Sequence, residues 1–130
     1  MNQKILCIDD EPQVRKLLTD CLGHFKHQVS LASSGTQGLQ LFLEALRSQK
    51  PFAAVITDLG MPDLDGHQVA RRIKAESPNT PVVMMTGWGT MMKEDGESAP
   101  EVDALIGKPP HMHELQSLLM KLTSAKVAAR

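Results

Sequence analysis

Ile5-Leu6-Cys7-Ile8-Asp9-Asp10-Glu11 is the most informative segment of the sequence, because a continuous apolar run ends abruptly in three acidic residues. Two later stretches repeat this plan: Ala53 to Thr57 ends at Asp58, and Ala104 to Gly107 ends at Lys108. Short continuous apolar runs are typical of strands that are buried on both faces of a parallel sheet. The carboxyl ends of such strands share one edge, where open α/β sheets bind ligands. We therefore expect the charged residues that end the three runs to meet at that edge.

Stretches with helical periodicity separate the strand-like runs along the whole chain. Apolar residues recur at helical spacing after Pro12, and similar stripes follow Ser34 and Asp65, which are placed to cap the second and third helices. A last amphipathic stretch begins near Pro110. The alternation predicts an α/β fold with a parallel sheet covered on both faces. Its five strands are expected near residues 5–8, 29–32, 53–57, 82–86 and 102–106.

The predicted helix between residues 89 and 101 is the weakest element of the pattern. Gly96 and Pro100 interrupt it, and its apolar periodicity is poor. Glycine and proline both disfavour a helix interior. We therefore expect this helix to be short or irregular.

Composition narrows the class of protein. The 130 residues fit a single domain, residues 1–130. The chain has 14 Lys and Arg against 15 Asp and Glu, so it lacks the excess of basic residues that direct nucleic-acid binding requires. No window approaches the roughly 20 apolar residues of a membrane span, and the N-terminus lacks the apolar stretch of a signal peptide. The expectation is a cytoplasmic domain. Cys7 and Cys21 lie outside any CxxC pattern and are expected to be buried thiols.

The side chains at the predicted edge favour phosphoryl-transfer chemistry. Asp9, Asp10 and Asp58 would repel one another unless a cation lies among them, and oxygen ligands suit Mg²⁺. A carboxylate can attack phosphorus to give an acyl phosphate. Lys108 would supply a positive charge to a phosphoryl oxygen, and Thr86, at the end of the fourth strand, a hydroxyl donor. Taken singly, Asp9 and Asp10 could instead cap the first helix, Asp58 could be a turn residue, and Lys108 could be solvated.

Four segments together resemble the receiver domains of two-component response regulators. They match in order and spacing over essentially the whole chain, and they read Ile8-Asp9-Asp10-Glu11-Pro12, Thr57-Asp58-Leu59-Gly60-Met61-Pro62 with Asp65-Gly66, Met85-Thr86-Gly87, and Gly107-Lys108-Pro109. The resemblance implies a flavodoxin-like, doubly wound sheet with strand order 2-1-3-4-5.

The resemblance also implies an activity. Asp58 would be phosphorylated from the phosphohistidine of a histidine kinase or a histidine phosphotransfer domain, and a phosphorylation-driven conformational change would act on a downstream protein. Mg²⁺ would be held by Asp10, Asp58 and the backbone carbonyl of Gly60, with Asp9 assisting through water. Such a chain catalyses its own phosphorylation and dephosphorylation, and we do not expect it to be an enzyme that turns over a separate substrate.

Thr86 and Lys108 would bind the phosphoryl group, and the Lys108-Pro109 bond would resemble the family's cis peptide. One position departs from the family pattern, because receivers usually carry an aromatic residue three positions before the lysine, where this chain has Leu105. Leucine lacks the polar tip on which the usual threonine-to-aromatic readout depends. Trp88, two positions beyond Thr86, is predicted to hinder the attacking water and lengthen the phosphoryl lifetime.

Two other functions remain open from the sequence. Asp63-Leu64-Asp65-Gly66 looks like the DxDG motif of haloacid-dehalogenase-type phosphatases, but it follows a loop rather than a strand, which favours a turn with a helix cap. The second alternative is a degenerate receiver that acts only as a protein-binding module. The replacement of the usual aromatic residue by Leu105 favours this alternative, and the intact set of acidic residues argues against it. Within the receiver interpretation, the segments around Asp58 and Thr86 look like receivers attached to hybrid sensor histidine kinases.

Overall fold

Five parallel strands form one sheet in the computed structural model, which describes residues 3–87, 102–108 and 110–128, with side chains as far as Thr123. The strand order is β2-β1-β3-β4-β5, as the resemblance implied, so the prediction of fold class and topology is confirmed. The strands are β1 (Lys4–Ile8), β2 (Gln28–Ala32), β3 (Ala54–Asp58), β4 (Val82–Thr86) and β5 (Ala104–Gly107).

Helices connect the strands, and two of them begin at the caps that the sequence predicts. The helices of the described residues are α1 (Pro12–His24), α2 (Gly35–Arg47), α3 (Gly66–Glu76) and α4 (Met112–Ala128). Ser34 accepts a hydrogen bond from the Gln37 amide, and Asp65 forms a capping box with Gln68, so both predicted caps are confirmed. The predicted helix between residues 89 and 101 lies outside the described residues, as do Trp88 and Pro109.

The central strands β1, β3 and β4 are buried on both faces, which explains why they read as continuous apolar runs. Side chains alternate along each strand, so Leu6 and Ile8 join one core cluster while Ile5 and Cys7 join another. The first cluster includes residues of α2 and α3, and the second includes residues of α1 and α4. The sheet is therefore held between two helical layers. No helix in the described ranges is long and apolar enough to span a bilayer.

Strand β5 begins two residues later than predicted. The sequence indicates a strand from residue 102, whereas the ladder starts at Ala104 and ends at Gly107. Asp103 explains the difference, because its carboxylate accepts the Val82 N–H at 2.8 Å and its own N–H bonds the Val82 carbonyl at 2.9 Å. The Asp103 side chain thus takes a bond that a longer strand would use.

The strand register brings the candidate residues to one edge. Ile8 pairs with Thr57, so the next residues, Asp9 and Asp58, leave neighbouring strands at the same level. Thr86 ends β4 opposite Gly107, which directly precedes Lys108. The carboxyl ends of β1, β3, β4 and β5 therefore surround one region, the place where ligands bind in this class of sheet.

Candidate functional site

Four acidic side chains meet at the carboxyl edge of the sheet. One carboxylate oxygen from each of Asp9, Asp10, Glu11 and Asp58 lies within 4.8 Å of the others. Asp9 is completely buried and Asp58 is 6 % exposed, whereas Asp10 and Glu11 face solvent. Negative charges at this separation repel strongly when water is partly excluded. The cluster therefore requires positive charge.

Lys108 supplies a cation to this cluster. Its Nζ lies 3.1 Å from Asp9 Oδ2, 3.2 Å from Asp58 Oδ2 and 2.5 Å from Glu11 Oε1, and its side chain is 14 % exposed. Burial alone would lower the pKa of Lys108, but the hydrogen bonds to Glu11, Asp9 and Asp58 outweigh it and raise the pKa above its ordinary value. Lys108 is therefore fully charged at neutral pH.

Asp9 leaves one buried oxygen incompletely satisfied. Its Oδ1 accepts the Glu11 amide at 2.8 Å, while Oδ2 lies near Lys108 but receives no hydrogen bond of acceptable geometry. Burial raises the pKa of Asp9 and the charge of Asp58 adds to this, although the Glu11 amide and Lys108 act in the opposite direction. A buried carboxylate oxygen without a donor suits a hard cation. The acidic cluster therefore fits Mg²⁺.

Asp9 and Asp10 do not cap α1. The residue before α1 is Glu11, whose side chain makes no capping bond, and Pro12 occupies the first turn. The Asp9 carboxylate instead bonds the Glu11 amide, and Arg15 donates to the Asp9 backbone carbonyl at 2.8 Å. These bonds fix the turn that carries both aspartates to the edge of the sheet.

An open cleft of about 500 Å³ connects the remaining candidate residues. It is lined by Asp10, Glu11, Asp58, Leu59, Gly60, Thr86, Gly87 and Lys108. Asp9 contacts Lys108 from the interior. The structure thus brings together the proposed metal-binding and phosphoryl-binding residues, whereas Trp88 lies outside the described residues. The structure adds Glu11, to which sequence reasoning gave no role although it follows two aspartates directly.

Leu105 lies beside a second cavity, between β5 and α4. This cavity measures about 370 Å³, and Glu114, Ser117 and Leu118 also line it. Leu105 is half-buried and pairs with Met84 in the strand register. The position of the usual aromatic residue thus holds an aliphatic side chain at the edge strand of the sheet.

The two aspartates of the DxDG-like motif cap two different helices. Asp65 caps α3, as described above. Asp63 accepts hydrogen bonds at the start of α2, from the Gly35 amide at 3.3 Å, the Thr36 amide at 3.2 Å and the Thr36 hydroxyl at 2.5 Å. In the described structure the motif is therefore a pair of helix caps, and the phosphatase alternative has no support.

The hydrogen bonds to Asp63 predict how the stability of the protein depends on pH. The hydrogen bond from the Thr36 hydroxyl, with backbone amides contributing, lowers the pKa of Asp63 from 3.8 to about 2. A carboxyl whose pKa is lower in the folded state stabilises the protein above its unfolded-state pKa and loses that effect as pH falls. We expect the stability difference between the parent and Asp63→Asn to be constant above about pH 5 and to shrink between about pH 4 and pH 2. Urea unfolding at several pH values measures it, and a difference that grows with acidity would contradict the assignment.

The sequence model of the response regulator receiver domain matches residues 5–120. The chain belongs to this family. Receiver domains act in two-component signalling, and phosphorylation and Mg²⁺ binding are general properties of them. This receiver domain also resembles the transcriptional regulatory protein SrrA of Staphylococcus aureus, at 34 % identity over 111 residues. The alignment covers 84 % of the chain and 43 % of SrrA, so the chain spans less than half of that relative.

Solved structures of receivers have the same fold. A response regulator receiver domain protein from Clostridium thermocellum superposes with a TM-score of 0.87 at 30 % identity, covering 98 % of this receiver domain and 99 % of that chain. The response regulator TrrA from Thermotoga maritima, in complex with Mg²⁺-BeF, gives a TM-score of 0.80 at 27 % identity, covering 92 % and 98 %. The similarity therefore extends over nearly the whole chain.

Proposed function

We propose that this receiver domain accepts a phosphoryl group on Asp58, in the cytoplasm, from the phosphohistidine of a histidine kinase or a histidine phosphotransfer domain. The observation that carries the proposal is the position of Asp58. Its Oδ2 lies 3.2 Å from the charged Lys108 Nζ, on a cleft that is open to solvent. A nucleophilic carboxylate and a cation for the phosphoryl oxygens thus share one accessible site.

The reaction follows from these groups. An Asp58 oxygen attacks phosphorus, the new phosphorus–oxygen bond forms, and the bond from phosphorus to the donor imidazole breaks, with its electron pair remaining on nitrogen. Lys108 then binds one phosphoryl oxygen and the Thr86 hydroxyl donates to another. Hydrolysis of the resulting acyl phosphate regenerates the Asp58 carboxylate. The chain thus catalyses its own modification and does not turn over a free substrate.

Four residues would hold the Mg²⁺ ion that this chemistry requires. They are Asp10, Asp58, Gly60 through its backbone carbonyl, and Asp9 through water, and the unsatisfied Asp9 Oδ2 supports the assignment. When bound, Mg²⁺ would neutralise the negative charge of the carboxylates and the phosphoryl oxygens. Lys108 also places a positive charge beside Asp9, Glu11 and Asp58.

Phosphorylation would shift a two-state equilibrium of the loops that follow Asp58 and Thr86. A phosphoryl group on Asp58 draws Lys108 and the Thr86 hydroxyl towards it. Lys108 must then change its contacts with Glu11 and Asp9, which it makes in the structure described here. A downstream protein would read the altered surface.

Intact-protein mass spectrometry tests the proposal. After incubation with acetyl phosphate and Mg²⁺, the parent should gain the mass of one phosphoryl group, and Asp58→Asn or a chelator should abolish the gain. Asp20→Asn is a matched control, because Asp20 is an exposed aspartate of α1 whose side chain is 65 % accessible, and it should label like the parent. Labelling of Asp58→Asn would refute the acceptor assignment. A parent that binds Mg²⁺ but gains no mass would support the binding-module alternative.

A further inference from the structure

The first amide groups of α2 are satisfied from two different parts of the chain. Gln37 N–H donates to Ser34 Oγ at 3.1 Å, which is a local cap. The Gly35 and Thr36 amides instead donate to Asp63, which lies 28 and 27 residues away in sequence. The carboxylate also places a negative charge at the positive end of the helix. Asp63 is therefore a cap supplied to α2 by the loop between β3 and α3.

Close packing joins this loop to α2 as well. A Cβ atom at Gly35 would lie 2.7 Å from both the backbone oxygen and the Cβ of Leu64, so the loop and the helix touch where only glycine fits. Asp63 and Leu64 thus hold neighbouring parts of the loop against the first turn of α2. The start of α2 and the centre of the loop are therefore joined by both hydrogen bonds and close packing.

The same loop carries Gly60, three residues before Asp63. Its ends are fixed by backbone bonds, from Leu59 N–H to the Met85 carbonyl at 3.0 Å and from Gly66 N–H to the Leu59 carbonyl at 2.8 Å. Gly60 itself is exposed, and a Cβ atom there would meet no other atom within 4 Å. The Gly60 carbonyl belongs to the peptide bond with Met61, whose side chain is buried in the first core cluster. Met61 and the anchors on either side of the loop must therefore orient this carbonyl.

We propose that Asp63 is a positioning residue that ties the loop to the start of α2 and so holds the Gly60 carbonyl in place for Mg²⁺. The inference rests on the proposed function, because it assumes that Gly60 is a ligand. Groups that orient metal ligands typically contribute about 10-fold to 100-fold to metal affinity. Loss of the tie should therefore weaken Mg²⁺ binding although Asp63 does not contact the ion.

The experiment compares two caps of the same helix. Calorimetric titration of the full chain with Mg²⁺ should give about 10-fold weaker binding for Asp63→Ala than for the parent. Ser34→Ala is the matched control, because it removes the other cap of α2 without touching the loop, and its affinity should stay within about twofold of the parent. Thr36→Val, which removes the hydroxyl donor to Asp63, should weaken binding in the same direction as Asp63→Ala.

A third variant separates geometry from charge. Asp63→Asn loses the negative charge and one of the two accepting oxygens, but its amide oxygen can still accept from the Thr36 amide and hydroxyl. It should therefore bind Mg²⁺ within about threefold of the parent and more tightly than Asp63→Ala, at an ionic strength that screens distant charges. Hydrogen exchange provides a second readout, in which the Gly35 and Thr36 amides of Asp63→Ala should exchange faster than those of the parent.

Three results would overturn the inference. The first is an unchanged Mg²⁺ affinity of Asp63→Ala although its Gly35 and Thr36 amides exchange faster. The second is an equal loss of Mg²⁺ affinity in Ser34→Ala and Asp63→Ala. The third is an equal loss of Mg²⁺ affinity in Asp63→Asn and Asp63→Ala. The second would show that Asp63 acts only as a helix cap, and the third that it acts only through its charge. A parent that binds no Mg²⁺ would instead reject the metal site of the proposed function, and the role of Asp63 with it.

Discussion

Lys108→Met should reduce the rate of Asp58 phosphorylation by acetyl phosphate by about 100-fold or more. Removing one preorganised donor from a site where negative charge develops typically costs about 10²-fold to 10³-fold in rate. Lys108 Nζ already lies 3.2 Å from Asp58 Oδ2, so the charge is in position before the donor arrives. Methionine keeps a comparable length of apolar side chain but supplies no charge. The time course of the mass increase measures the rate.

The same variant should also be less stable in the absence of Mg²⁺. Lys108 contacts Asp9, which is fully buried, and Asp58, whose side chain is 8 % exposed, so its loss leaves two buried carboxylates without their cation. Breaking buried ion pairs by removing one partner costs about 3–5 kcal/mol, and the partial exposure of Lys108 lowers our expectation to about 2–3 kcal/mol. Millimolar Mg²⁺ should restore part of this loss, because a bound cation stabilises the folded state by mass action.

Lys16→Met is the matched control for this stability effect. Lys16 also pairs with an aspartate, Asp20, at 3.4 Å, but the two side chains are 78 % and 65 % exposed. Such surface pairs contribute about 0.5 kcal/mol or less, and Mg²⁺ should not alter the outcome. Equal unfolding free energies for the parent and Lys108→Met would contradict the electrostatic role of Lys108. Undiminished labelling would contradict its role in transfer.

Much of the fold could be predicted because the local signals agree with one another. The central strands β1, β3 and β4 are buried on both faces, so they read as nearly uninterrupted apolar runs. The caps Ser34 and Asp65 mark where two of the helices begin. The start of β5 could not be predicted, because it depends on the Asp103 carboxylate bonding the Val82 amide of the neighbouring strand. A contact between residues far apart in sequence leaves no local pattern.

The ends of two helices were also hidden in the sequence. Lys26 and Gln49 adopt left-handed backbone conformations, with φ of 65° and 60°, after α1 and α2 respectively. Glycine is the usual residue there, because other side chains crowd the backbone in this conformation. A search for glycine therefore misses both helix ends.

Most residues of the site could be predicted because they follow strands whose carboxyl ends lie at the same edge of a parallel sheet. Register and order bring Asp9, Asp58, Thr86 and Lys108 together once the sheet is parallel. The contact between Glu11 and Lys108 was missed, because adjacency in sequence did not show which acidic side chain turns towards the lysine. The capping of α2 by Asp63 was missed for a different reason, since the motif around Asp63 suggested only local roles.

Gly66→Ala should destabilise the protein and disturb the acceptor together. A Cβ atom at Gly66 would lie 2.6 Å from the backbone oxygen of Asp58 and 3.0 Å from Leu59 Cα, and it would also clash with Met84 Sδ. A flexible methionine can move aside, but the backbone of Asp58 cannot shift without moving the acceptor. Overpacking of this kind costs about 1–3 kcal/mol. We expect a loss of about 2–3 kcal/mol in urea unfolding and slower labelling of Asp58.

Gly23→Ala makes the same chemical change where the chain has room. Gly23 lies near the end of α1, and a Cβ atom there would meet nothing within 4 Å. Alanine favours helix over glycine by up to about 1 kcal/mol, so this variant should be as stable as the parent or more stable, and it should label at the parent rate. Changes in unfolding free energy of opposite sign for the two substitutions would show that contact with Asp58, and not the loss of a glycine, causes the destabilisation. Equal losses at both positions would reject that explanation, because only Gly66 touches the backbone that carries the acceptor.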